Sequence, residues 1–178
     1  RNKVMLRNIG QQQLINAFGL CKARGLRIFT FNMVGLPYES LAMSLDTIKL
    51  NSRIKSEVNQ VTIFYPYKNT QLYDICEKEG LIVRNRKITH YAKDTMLKFS
   101  LYRRNQLKFI QRYFRVLVKL YTLLEKRPVT EAALEKILFS RFSSFVLLPA
   151  FNIFFAIVWN NNFLSGMARR INRRFLKG

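Results

Sequence analysis

The sequence predicts an α/β domain with parallel strands, followed by a basic helical extension. Three observations predict it. Apolar stripes of helical period alternate with short apolar runs of strand length from residue 14 to residue 80. Two of those runs break in a similar way, in GLPYES at 35–40 and in YPYKNT at 65–70. The cations crowd into the second half: residues 1–80 hold 11 Lys/Arg and 6 Asp/Glu, while residues 81–178 hold 20 and 4.

The elements follow in order. Leu14, Ala17, Phe18 and Cys21 recur at helical spacing, and Gly25 is placed to close that helix. LRIFTFNMV at 26–34 is a nearly continuous apolar run. It predicts a strand buried on both faces, as in a parallel sheet. Pro37 lacks a backbone N–H and suits the opening of a helix. Leu41, Leu45 and Ile48 carry that helix to about Asn51. VNQVTIF at 58–64 is the next strand. Asn69 and Thr70 are placed to cap a short helix through Glu79, which faces Leu72, Ile75 and Cys76 inward and stops at Gly80.

A strand–helix–strand unit with one crossover helix makes its strands parallel. Both strands then end on one side of the sheet, so GLPYES and YPYKNT share a rim. Ligands of parallel α/β folds bind at that rim, although two ordinary connecting loops would show the same pattern. Backbone N–H groups after Gly35 are positioned for polar or anionic groups.

Composition narrows the class. The chain has 178 residues, 49% of them hydrophobic, with 15 Phe, which excludes a disordered polymer. Its two cysteines, Cys21 and Cys76, lie 55 positions apart, so neither a disulfide scaffold nor a cysteine-rich metal motif is present. Both fall on helical stripes, which predicts buried, reduced thiols in a cytoplasmic protein. His90 is the single histidine, too few to build a zinc site with these cysteines. The sequence opens at Arg1 on RNKVMLRNIGQQQ, which reads as the middle of a longer chain. The net charge of +21 calls for an anionic partner: a phospholipid surface, nucleic acid or a phosphorylated substrate.

Five segments, in order, carry a resemblance. They are LRN at 6–8, AF…CKARGL at 17–26, FNMVGLPYES at 31–40, TIKLN at 47–51 and IFYPYKNTQLYDICEKEGLI at 63–82. From about residue 4 to about residue 82 the chain resembles the C-terminal half of the radical S-adenosylmethionine (SAM) core, and within that superfamily the cobalamin-binding subgroup. The resemblance implies the C-terminal part of a partial (βα)6 TIM-like barrel over residues 1–100. The basic helical extension then spans 101–178. It also implies SAM, a four-iron four-sulfur cluster and, for this subgroup, cobalamin. Reductive cleavage of SAM would yield a 5′-deoxyadenosyl radical, with the protein positioning the cofactors and excluding water.

The resemblance also implies roles for single residues. Arg7 stands where related enzymes set an arginine against the SAM carboxylate, a role suited to a charge-assisted pair; in so basic a chain it also reads as a surface arginine. Met33 matches a position that packs on the adenine, and equally reads as core. Gly35 lets the backbone turn close to the ligand. Glu39 and Ser40 read as helix-capping residues rather than catalytic ones. Phe64 and Tyr65 stand where related enzymes meet the adenine edge with backbone groups, and Tyr65 and Tyr67 also read as lining of the barrel mouth.

Two departures matter. The second loop carries Lys68-Asn69 where relatives often have Pro-Gly; asparagine tolerates the left-handed conformation that such a turn needs. The CxxxCxxC signature of the cluster appears nowhere in the chain, so the cluster ligands are expected outside it.

The second half is helical and basic. Residues 83–100 carry scattered apolar anchors. From 101 to 126, Leu107, Ile110, Phe114, Leu117, Val118 and Tyr121 form one face, and Lys108, Arg112, Arg115 and Lys119 another. Pro128 ends this helix, and Thr130 with Glu131 opens the next. FVLLPAFNIFFAIVW at 145–159 is only fifteen residues long and holds Pro149 and Asn152. It predicts a buried or interfacial hairpin rather than a span. The last helix sets Leu164, Met167, Ile171 and Phe175 among five cations. That is the pattern of a peripheral membrane contact through 143–178, or of a helix packed with its charges outward. The expectation is therefore an enzyme of radical SAM type acting on a small-molecule or lipid-like substrate. The rival is a basic α/β binding module for membrane or nucleic acid.

Overall fold

The computed structural model describes residues 9–84, 94–99 and 101–125, with isolated positions at 130, 132, 133, 135, 136, 140, 150 and 153. The expectations for Arg7 and His90 lie outside the described residues, as do those for the 143–178 tail apart from positions 150 and 153 and for most of the sequence beyond Pro128. The chain divides into two units, residues 1–134 and 135–178. Among its described residues the first holds six elements: α1 (Gln11–Ala23), β1 (Phe29–Val34), α2 (Leu41–Ile54), β2 (Val58–Ile63), α3 (Gln71–Lys78) and α4 (Leu101–Leu124).

β1 and β2 pair in parallel, from Phe29 beside Val58 to Val34 beside Ile63. The mixed α/β class with a parallel sheet is thus the observed one. The predicted burial is not. The strand was expected to be covered on both faces, yet burial in β1 alternates. Thr30 and Val34 are buried, while Phe29, Phe31 and Met33 are exposed, Phe31 at 78%. Ile28 is buried just ahead of the strand. An unbroken apolar run predicts two covered faces only if a second layer is present. Among the described residues, α2 and α4 cover one face and no element covers the other.

The covered face has a polar centre beneath an apolar top. The Thr30 hydroxyl donates to Asn51 Oδ1 at 2.7 Å and lies 2.9 Å from Asn59 Oδ1. Asn51 Nδ2 donates to Asn32 Oδ1 at 2.7 Å and to the Thr47 carbonyl at 2.8 Å. Ser56 donates to Asn59 Oδ1 at 2.6 Å. A buried amide without partners would cost about 1–3 kcal/mol, so this network fixes the register of α2 against both strands. Above it, Val34, Ile48, Ile63, Leu107 and Ile110 are fully or nearly fully buried.

α4, which opens the predicted extension, packs on α2 and β2. Its predicted apolar face, Leu107, Ile110, Phe114, Leu117, Val118 and Tyr121, is buried throughout. The helix kinks at Tyr113, where the backbone leaves helical geometry. Cys76 is buried, as expected, and burial pushes its thiol pKa up. Cys21 is only half-buried: α1, which packs against α2, buries no residue fully.

Candidate functional site

Both strands end on the same side, and the loops after them lie next to each other. The Phe64 N–H donates to the Val34 carbonyl at 2.8 Å, which carries the ladder one step past β2. Gly35 and Phe64 therefore leave the sheet together.

Gly35 turns the chain. It is buried, with φ +78°, and a Cβ there would stand 3.2 Å from Leu107 Cδ1 and 3.5 Å from Ile63 Cγ2. Only glycine satisfies both the left-handed backbone and the close approach of α4. Pro37 does not open a helix as predicted. It occupies a turn closed by the Glu39 N–H donating to the Leu36 carbonyl at 3.1 Å, with Tyr38 at φ +61°. Proline second and a left-handed residue third is the type II pattern, which normally takes Gly or Asn at the third place. The helix begins only at Leu41. Ser40 is its N-cap and accepts the Met43 N–H at 3.2 Å.

The capping expectation holds for Ser40 and not for Glu39, whose carboxylate closes the turn ahead of the helix instead of accepting a helix N–H. Glu39 is buried, and its carboxylate accepts the Leu36 N–H at 2.8 Å and the Ser44 hydroxyl at 3.1 Å. Arg103 of α4, also buried, donates to the Glu39 carbonyl at 3.1 Å and to Ser44 Oγ at 3.4 Å. A contact across 64 positions leaves no local signal, which is why sequence reading missed Arg103.

The second loop is open. Tyr67, Lys68, Asn69 and Thr70 are all exposed. Asn69 takes φ +65°, so the left-handed turn persists without glycine. Thr70 caps α3, accepting the Tyr73 N–H at 3.2 Å and donating to the Tyr67 carbonyl at 2.7 Å. α3 ends on a Schellman turn at Gly80 (φ +61°). There the Leu81 N–H donates to the Cys76 carbonyl at 2.8 Å, and Leu81 packs beside Cys76. The rings of Tyr65 and Tyr67 tilt together with centroids 5.1 Å apart.

A small core of its own supports both loops. Leu36, Phe64, Cys76 and Leu97 are buried together, flanked by Leu72, Leu81, Ile82 and Phe99. Leu97 arrives on the segment before α4, which pairs antiparallel with residues 81–83: Val83 N–H to Met96 O at 2.8 Å, Lys98 N–H to Leu81 O at 2.7 Å. Asp94 anchors that segment. Its carboxylate pairs with Arg104 and, at 3.0 Å, with Lys108, and accepts the Thr95 N–H at 2.8 Å. Partial burial alone would raise its pKa, but Arg104, Thr95 and Lys108 hold it well below the usual carboxylate range.

Four of the five predicted cofactor-binding residues, Met33, Gly35, Phe64 and Tyr65, thus stand at one end of the sheet. Met33 lies on the uncovered face, Tyr65 is half-buried, and the Phe64 side chain belongs to the small core. Arg7 lies outside the described residues. Among the described residues, no three His, Cys, Asp or Glu side chains group closely enough to hold a metal ion, and no helix is long and apolar enough to cross a membrane. The chain matches no protein-family model, no curated protein and no solved structure.

Proposed function

We propose that this chain forms the back part of a radical SAM enzyme of the cobalamin-binding type, with the rim around Gly35 and Tyr65 as part of its SAM site. The observation that carries the reading is a conjunction. Two motif segments matched in sequence, FNMVGLPYES and IFYPYKNT, stand side by side at the ends of parallel strands. The first also turns on a glycine at which any side chain would be strained. The sheet face that no described element covers adds support. In a (βα) barrel the crossover helices lie outside, so the face opposite α2 and α4 would line the lumen. Phe31 and Met33 are exposed on that side.

The residues present suit a nucleoside. An exposed methionine, a close-approach glycine turn and a half-buried tyrosine set apolar side chains beside backbone polar groups. They do not suit the iron–sulfur cluster, which needs closely spaced thiolates. Two cysteines 55 positions apart do not provide them, so the ligands would come from sequence beyond these residues. Radical initiation is the chemistry SAM and such a cluster supply together. The described residues would position the nucleoside and exclude water.

The test is SAM binding by equilibrium dialysis, using the protein with its native upstream sequence, anaerobically reconstituted with iron and sulfide. Binding weakened roughly tenfold by Met33→Ala, a change at an exposed side chain, supports the reading. No binding, or an upstream region without CxxxCxxC, overturns it and leaves a basic α/β binding module.

A further inference from the structure

The end of the sheet opposite the rim carries a different chemistry. Three separate segments meet there: the exit of α1 with the turn into β1, the exit of α2 with the turn into β2, and the middle of α4. The Lys22 ammonium donates to the Lys55 carbonyl. The Glu57 N–H donates to the Ile28 carbonyl at 3.1 Å, and the Glu57 carboxylate accepts the Ile28 N–H at 2.6 Å. Arg115 Nε donates to the Asn59 carbonyl at 3.2 Å. Lys22 and Arg27 both act electrostatically on Glu57. Arg24, Arg27, Arg53, Lys55 and Arg115 are exposed and Lys22 is half-buried. Six cations therefore lie on these three segments; two of them, Lys22 and Arg27, act on the Glu57 carboxylate, which is already engaged by a backbone N–H.

The turn at this end also projects an aliphatic side chain. α1 closes as α3 does, on a Schellman turn: the Gly25 N–H donates to the Lys22 carbonyl at 2.9 Å and the Leu26 N–H to the Cys21 carbonyl at 3.1 Å. Leu26 thus holds the position that Leu81 holds after α3. Leu81 packs into the small core, whereas Leu26 is 56% exposed, flanked by Arg24 and Arg27. A leucine projecting between arginines suits a bilayer interface, where the aliphatic group enters the acyl boundary and the cations meet anionic headgroups. A nucleic acid would match the charge but offers no aliphatic medium for the leucine.

We propose that this end of the sheet is a docking surface for an anionic phospholipid bilayer, with Leu26 as the inserting residue and Arg24, Arg27 and Arg53 as headgroup contacts. The surface is separate in sequence from the 143–178 tail and does not depend on the SAM reading.

The test is partition of the whole chain onto phosphatidylcholine vesicles with and without phosphatidylserine. Binding to the anionic vesicles that weakens as salt rises is expected. The triple variant Arg24→Glu/Arg27→Glu/Arg53→Glu should lower that partition by roughly a hundredfold. Leu26→Ser should lower it several-fold at every salt concentration. Should circular dichroism show the triple variant unfolded, Arg24→Gln/Arg53→Gln replaces it, with roughly a tenfold loss expected. Unchanged partition by a folded charge variant overturns the proposal. So does wild-type binding to an RNA or DNA duplex that is tighter than to the anionic vesicles at equal salt.

Discussion

The two loops at the rim begin alike and are built differently. The first, 35–40, is buried at Gly35, Leu36, Pro37 and Glu39 and tied to α4 through Arg103. The second, 65–70, is exposed from Tyr67 onward and held at its tip by the Thr70 cap. The difference follows from what lies behind each. Leu107 and Arg103 press on the first loop from α4. The second joins the small core at its root, Phe64. A loop clamped from behind is a fixed frame, while one exposed along most of its length tolerates change. Mutations should therefore cost much in the first and little in the second.

Gly35→Val should have the largest effect, about 4 kcal/mol, from a β-branched side chain at positive φ and collision with Leu107. Urea unfolding measures it, and a cost below that of Thr70→Ala would break the comparison. Glu39→Ala comes next, at about 3 kcal/mol, because it removes a buried carboxylate that accepts two hydrogen bonds and strands the Leu36 N–H. Glu39→Gln, which keeps one acceptor, should recover part of that loss.

Asp94 sharpens the comparison through pH. It anchors the segment that leads into α4, and α4 clamps the first loop. Its pKa is depressed in the folded state, so its contribution is present above the ordinary aspartate value. That contribution is lost as pH falls from there through the folded value. Asp94→Asn should remove about 2 kcal/mol at neutral pH and flatten the acid limb of the stability profile. An unchanged acid limb would show that Arg104 and Lys108 do not hold the carboxylate. Thr70→Ala should cost only about 1 kcal/mol, the ordinary value of an N-cap. Asn69→Gly should change stability by no more than about 0.5 kcal/mol, since the turn is already left-handed.

Much of the rim was legible in the sequence. Helical period located α1, α2 and α4, and the buried face of α4 is the predicted one. Gly25 and Gly80 marked two helix exits, and Thr70 marked an entry. These signals are local: each depends on residues within a turn or two of one another. The failures are of one kind. Phe29 and Phe31 looked buried because a run of apolar residues does not reveal whether a second layer is present. Pro37 looked like a helix start because both a helix and a type II turn accept proline early. Arg103 was invisible because its partners lie about sixty positions away.

By itself, then, the amino-acid order determined the alternation of helix and strand, the parallel pairing it entails, and the two breaks that share an edge. Those properties follow from periodicity and from the short-range chemistry of Gly, Pro and capping hydroxyls. Only the tertiary structure decided which side of β1 the described elements cover, which loop is clamped, and where the cations of three segments lie. Each of these depends on contacts between residues far apart in the chain, and such contacts are set by packing rather than by local preference.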